Sequence, residues 1–455
     1  MNPTASAAAS RTFTLLHGPL LPTLLRLATP NVIGLVATTV VIGYDGYILG
    51  RLGADALAGI ALVFPLSMLM LQMAAGGIGG AVTAAVAHAL GGGRGEEANR
   101  LAQQALLLAC ALAAAFMLAL LGCGRPIFAA MGGHGAALEA ALAYSSVLFS
   151  GALLICLANI LAAIVRGAGN MLLPSMLLTA TALLHLLLCP LLVFGWGPLP
   201  GFGIAGAAAS ALGGSLITTA VLAAYLMRGK GGVHLPLDGW RLRREPMRAI
   251  LRVGAPASLS PILSNGSIAA ATALIGSYGT AALAGYGVAA RLEYIMVPIA
   301  FGFGTALTTL VATNMGAGQQ ARALRATWTG GGVVFALTGL IGIGAAIAPE
   351  QWMTHFSSDP AVLEFGNAYL RVVGACYGLF GLGLALFFAS QGAGRMFWPL
   401  AGSVARLVIV AGGGWLAVHV FKLPAEGFFI LIAAGFAVYA LTIAGAIRLG
   451  SWARK

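Results

Sequence analysis

Apolar stretches long enough to cross a bilayer follow one another almost without a break, and this pattern constrains the fold more than any motif does. Twelve can be laid out, at about 21–49, 54–90, 97–122, 137–165, 171–195, 202–228, 248–278, 281–315, 321–348, 360–391, 396–419 and 425–449. A membrane helix needs about 20 apolar residues. Several stretches exceed that and leave length for tilt or kinks. Charged residues make up only 8% of the chain, against about 25% in a soluble domain, too few to cover a soluble surface. The 65 glycines suit close packing of membrane helices. The expected fold is an all-α polytopic membrane protein.

The net charge of +12 raises the question of a nucleic-acid partner. Placing the charges answers it, because they cluster at the ends of the spans. If both termini are cytoplasmic, Arg51, Arg125 and Lys422 face outward, and Arg291, Arg371 and Arg406 lie within spans. The other 18 of the 24 Lys and Arg residues face inward. This is the positive-inside pattern, and it favours an even number of spans. The expected partner is the lipid bilayer, not nucleic acid. Five scattered cysteines with no Cys-x-x-Cys spacing read as packing residues. Residues 1–16 lack the basic and apolar pattern of a cleaved signal peptide.

The chain repeats itself. Leu25-Arg26 to Pro30 matches Leu251-Arg252 to Pro256, and Ala56-Leu-Ala-Gly59 matches Ala282-Leu-Ala-Gly285, each 226 residues on. Gly167-Ala-Gly169 matches Gly392-Ala-Gly394 at 225. The layout is a tail (1–20), a six-helix bundle (21–228), a basic linker (229–247), a second six-helix bundle (248–450) and a tail (451–455). Six spans per half give the halves the same orientation, so they are parallel repeats about an axis along the membrane normal.

Of the 12 acids, only Asp45 and Glu293 fall inside spans. An acid in hydrocarbon costs roughly 2.5–3.5 kcal/mol on insertion scales, so such residues are functional candidates. Asp45 stands fifteen residues after Pro30. Its repeat position, 226 on, is Ala271, so the proline recurs and the carboxylate does not. That asymmetry points to chemistry in the first half. Glu293 either belongs to a buried polar network or is a second site contacting substrate. Arg291, two residues away, does not share its helix face.

The order of these features resembles the multidrug and toxic compound extrusion (MATE) family. The likeness is carried by Pro30…Asp45-x4-Gly50-x-Leu-Gly53…Leu57-Ala-Gly59, Arg166-Gly-Ala-Gly169-Asn170-x3-Pro174, Gly203-Ile-Ala-Gly206 and Asn314-x-Gly-Ala-Gly318-Gln319. It spans about 21–449. The resemblance implies an antiporter that expels organic cations in exchange for H+ or Na+. Asp45 falls on the family's first-helix aspartate, and Pro30 on the proline whose kink accompanies protonation. A proline inside a helix loosens the turn before it. Where many relatives read Asn-x3-Asp on the fifth helix, this chain has His185 and Cys189, with Ser210 at a hydroxyl position on the sixth. One carboxylate, one imidazole and one hydroxyl make a poor Na+ cage and a reasonable proton site. Seventh-helix acids of Na+-dependent relatives are replaced by Ser264 and Asn265.

The expected function is therefore proton-coupled export of cationic amphipathic molecules, by a monomer with no cofactor, in a bacterial inner membrane. Asp45, His185, Ser210 and the Pro30 kink form the coupling site. Phe64, Met68, Gln72, Met73, Tyr294 and Phe301 are expected to line the substrate cavity, since aromatic and Met side chains suit varied cations. Na+ coupling is one rival. A flippase or exporter of a lipid-linked or other metabolite is another. No clustered catalytic groups suggest an enzyme.

Overall fold

The computed structural model describes residues 3–197, 199–229, 231–235 and 241–452. Parts of the expected linker (230 and 236–240) and of the two tails (1–2 and 453–455) lie outside them. Within hydrocarbon every backbone polar group must bond inside its own segment, and the chain is helical nearly throughout. Short turns join the helices, and the one strand pair among described residues is a short ladder, Gly195–Trp196 with Leu199–Pro200.

The N-terminal stretch is a helix, α1 (Pro3–His17). The first bundle holds α2 (Leu20–Gly50), α3 (Ala54–Gln72), a π-helical turn (Met73–Ile78), α4 (Gly79–Gly91), α5 (Gly95–Gly122), α6 (Gly124–Ala130), α7 (Gly135–Ser150), α8 (Ala152–Gly167), α9 (Leu172–Phe194) and α10 (Ile204–Met227). The second holds α11 (Arg244–Gly276), α12 (Thr280–Gly316), α13 (Gln320–Ile347), α14 (Pro349–Met353), α15 (Pro360–Val373), α16 (Tyr377–Gly392), α17 (Phe397–Leu407) and α18 (Ala425–Arg448). Among described residues eleven helices or helix runs are long and apolar enough to span. Counting the pair α7 and α8 as one span makes twelve. One apolar stretch covers 137–165 in the sequence, with length to spare for a kink. The structure breaks it at Gly151 with a 50° bend.

The repeat is visible in backbone conformation. Gly53 and Gly279 begin α3 and α12 at φ 116° and 113°, a region that L side chains avoid. Gly93 and Gly318 turn between helices at φ 73° and 76°, again one repeat apart.

The bundles meet in the same symmetric way. A Cβ on Gly77 would strike Ser258, and one on Gly302 would strike Val32. One on Gly91 would strike the Thr313 carbonyl, and one on Gly316 the His88 carbonyl. Each pair is the other's image at the repeat offset: the first brings the π-turn against α11 and α12 against α2, and the second lets α4 and α12 cross at backbone contact. Asn31 Nδ2 donates to Thr305 Oγ1 (2.9 Å), Thr309 Oγ1 to the Arg166 carbonyl (3.2 Å), and Asn314 Nδ2 to the Leu15 carbonyl (3.2 Å). Arg322 also bonds the Gly18 carbonyl. These contacts all lie at the end of the molecule that carries the termini. Toward the other end, Val36, Val40, Tyr47 and Phe64 in the first bundle and Tyr294 in the second are exposed. The bundles are joined at the terminus-bearing end.

Candidate functional site

Asp45 lies late in α2, a continuous helix with Pro30 inside it. Packing beneath Asp45 is close because Gly34 faces α9: a Cβ there would come within 3.2 Å of the Ser175 carbonyl and of Leu178. Helix α9 carries His185 and Cys189, four residues apart and so on one face. Helix α10, beside it, carries Ser210.

The three helices bring these side chains together. His185 Nε2 lies 2.7 Å from Asp45 Oδ1. Ser210 Oγ lies 3.0 Å from His185 Nδ1. The Cys189 thiol donates to the same Asp45 oxygen at 3.6 Å. Ser210, His185 and Cys189 are buried, while the Asp45 side chain keeps 21% of its surface exposed. The chain of contacts thus opens at the carboxylate and closes at the hydroxyl. Arg51, the nearest cation along α2, lies instead over the Phe194 ring (5.4 Å).

Such a chain can pass a proton. A ring protonated at Nε2 donates to the carboxylate, and its Nδ1 accepts from the Ser210 hydroxyl. If the carboxylic acid holds the proton, it donates to Nε2, and an Nδ1–H donates to Ser210 instead. Both arrangements satisfy every partner, because imidazole and hydroxyl each donate or accept.

Asp45, His185 and Cys189 could also gather round a metal ion, their ligand atoms lying within 4.8 Å of one another. Hard cations take oxygen ligands, and this trio offers one carboxylate, one nitrogen and one sulfur. The 2.7 Å Nε2–Oδ1 separation is that of a hydrogen bond. Two ligands of one tetrahedral Zn2+ would stand about 3.3 Å apart at ordinary bond lengths. The spacing observed is therefore that of a shared proton. Cys189, expected to be a packing residue only, packs and also touches the carboxylate.

Sequence reasoning missed Asn31. It is buried, accepts from Ser175 Oγ (2.6 Å) and donates to Thr305 across the bundles. Its place directly after Pro30 was the available signal.

Glu293 belongs to a separate cluster in the second bundle. Tyr369 and Tyr377 both donate to its Oε1, at 2.7 and 3.3 Å. Tyr286 stacks edge-on against Tyr369 (5.2 Å). Arg406, 8% exposed, is close enough to act on the Glu293 charge without touching it, and its guanidinium lies 4.6 Å over the Phe436 ring. Arg371 is exposed, and Arg291 lies over Phe356 (5.4 Å). Of the expected cavity residues, Phe64 and Tyr294 are exposed, and Met68, Gln72 and Met73 are half-buried. Phe301 stands where the bundles meet, beside Gly76 and edge-on to Phe388 (5.0 Å).

Two repeated six-helix bundles, joined at one end, with a hydrogen-bonded Asp45–His185–Ser210 chain inside one of them, define a membrane transporter. The MatE family model matches residues 30–191 and again 256–416, more than half of the chain, and the chain belongs to this family. The "FAD transporter" of Shewanella oneidensis is 29% identical, the match covering 87% of each chain. The "Probable multidrug resistance protein NorM" of Deinococcus radiodurans is 28% identical, covering 93% of this chain and 94% of that one. A crystal structure of MATE in the bent conformation superposes with a TM-score of 0.88 at 25% identity, over 97% of this chain and 98% of that one. These relatives are transporters, and no catalytic family is indicated.

Proposed function

We propose that this protein is a secondary active exporter that expels organic cations in exchange for protons, by alternating access between its two bundles. The observation that carries this reading is the Asp45–His185–Ser210 chain, open at the carboxylate and closed at the hydroxyl. With both termini cytoplasmic, as the placement of Lys and Arg indicates, the joined end is the inner one and the exposed faces open outward. A proton from outside reaches Asp45, the Pro30 helix shifts, and the cation leaves. The proton departs inward once the bundles reverse. Na+ coupling is less favoured because the site offers a single carboxylate.

The protein acts as a monomer in the bacterial inner membrane, and gradient energy alone drives it, without a cofactor. Exposed Phe64 and Tyr294, with Met68, Gln72 and Met73, supply an adaptable apolar face for cations, and Glu293 adds a second acidic group. A second reading is favoured by the Shewanella relative named as an FAD transporter: the substrate is a flavin nucleotide or a similar aromatic metabolite.

Proteoliposome efflux under an imposed ΔpH and, separately, an imposed ΔNa+ tests the coupling ion. Ethidium-type dyes and FAD, run side by side, test the substrate class. Efflux driven by ΔNa+ alone would overturn proton coupling, and FAD transport without dye transport would overturn the cation reading.

A further inference from the structure

The π-helical turn Met73–Ile78 has no counterpart at the repeat-matched position, where α12 runs unbroken; the π-helical segments of the second half, Val408–Gly413 and Leu416–Val420, follow α17 instead. A π-turn is one residue wider than an α-turn, so it disturbs the regular pairing of carbonyls with amides. Two of its carbonyls are met from the other bundle. Gln391 Nε2, at the end of α16, donates to the Gly76 carbonyl at 2.8 Å and to the Gly77 carbonyl at 3.3 Å. Gln391 is fully buried, and a Cβ on Gly80 would collide with its amide. The matching residue in the first half is Arg166, so this contact breaks the twofold symmetry that the glycine contacts obey.

From this geometry we infer that Gln391 is a positioning residue of the transport cycle. Its amide completes the π-turn only while the bundles are closed at the terminus-bearing end, and so holds that state. The physical reason is the asymmetry of buried hydrogen bonding: a carbonyl that loses its donor inside a packed interface is destabilised until water or a rewound helix replaces it. When the bundles part at this end, Gln391 withdraws. The freed carbonyls are then met by water, or the turn tightens and shifts the face that α3 presents to the cavity. Met68 and Gln72 lie just before the turn and Met73 begins it, so closing the gate and shaping the substrate face are mechanically linked.

This inference rests on the alternating-access reading, and hydrogen–deuterium exchange on the full-length protein in lipid nanodiscs separates the two. In the wild type, exchange at α4 and the C-terminal half of α12 reports the terminus-bearing end. Exchange at the N-terminal halves of α3 and α12 reports the opposite end. Gln391→Met removes the donor at similar volume, and Gly80→Ala displaces the amide while leaving residue 391 in place. Both are expected to speed exchange at the terminus-bearing end by roughly five- to tenfold, the effect of one lost hydrogen bond, and to slow it at the opposite end. General loosening would instead speed exchange at both ends. Faster exchange at both ends in both variants, or wild-type exchange in both, overturns the role of Gln391. If the wild type itself shows no opposed change between pH 5 and pH 8 with ethidium present, the alternating-access reading fails.

Discussion

Replacing Asp45 by Asn removes a charge while keeping nearly all the geometry, so it isolates the proton. The amide oxygen still accepts from His185 Nε2–H, and the side chain keeps its size in a site where neither His185 nor Ser210 has room to relax. A hydrogen bond to a charged group contributes about 1.5–3 kcal/mol and a neutral one about 0.5–1.5 kcal/mol. The change therefore lowers stability by roughly 1 kcal/mol, small enough to leave a folded protein. Its effect on transport is much larger, because an amide cannot exchange a proton and no other acid lies in the first bundle's relay. Uphill dye efflux driven by an imposed ΔpH is expected to fall to the leak of empty liposomes. Dye binding, measured by fluorescence anisotropy, is expected to stay within about threefold, a difference of less than 1 kcal/mol. The assay is efflux from proteoliposomes with matched protein content and a thermal unfolding control. Asp45→Asn proteoliposomes that sustain ΔpH-driven uphill efflux at the wild-type rate would refute the assignment of the proton to this carboxylate.

Pro30→Ala restores a backbone donor inside α2 and stiffens it; ΔpH-driven efflux is expected to drop several-fold with dye affinity retained, and an unchanged rate would remove the kink from the mechanism. Asn31→Leu strands the Ser175 hydroxyl and removes the donor to Thr305 Oγ1, which keeps its own bond to the Gly302 carbonyl; thermal unfolding should show a loss of about 2 kcal/mol, and a variant as stable as the wild type would show that water replaces the amide. Arg406→Met removes the cation facing Glu293 and the stack on Phe436. Glu293→Gln is expected to rescue about 1 kcal/mol of that loss in a double-mutant cycle; strict additivity would mean that the two charges do not interact.

Much of the fold is legible in residue spacing. Runs of apolar residues at bilayer length mark the spans, because a backbone in hydrocarbon can only be helical. The matched glycines mark the repeat, and the structure shows why: Gly53 with Gly279 and Gly93 with Gly318 hold backbone angles that side chains avoid. The break at Gly151 was not legible, since the residues on both sides are apolar and helix-forming. The candidate site was legible only in part. Asp45 stands out as a charge in an apolar run, and His185 and Ser210 were reached through family likeness. Cys189 reads as packing in the sequence, because thiols are common in apolar helices. Gln391 is not legible, because a lone amide at a helix end carries no periodic signal.

What the sequence by itself determined is the inventory: which segments enter the membrane, that they come as two like halves, and that one half holds an unmatched carboxylate. These follow from composition and helical period, which are local. Only the tertiary structure decided who meets whom: Asp45 with His185, Asn31 with Thr305, and Gln391 with the π-turn. It also decided that the bundles close at the end bearing the termini. Those pairings join residues 140 to 315 positions apart. They depend on how closely glycine lets two helices approach and on how the bundle packing buries its polar groups. No local pattern encodes either quantity.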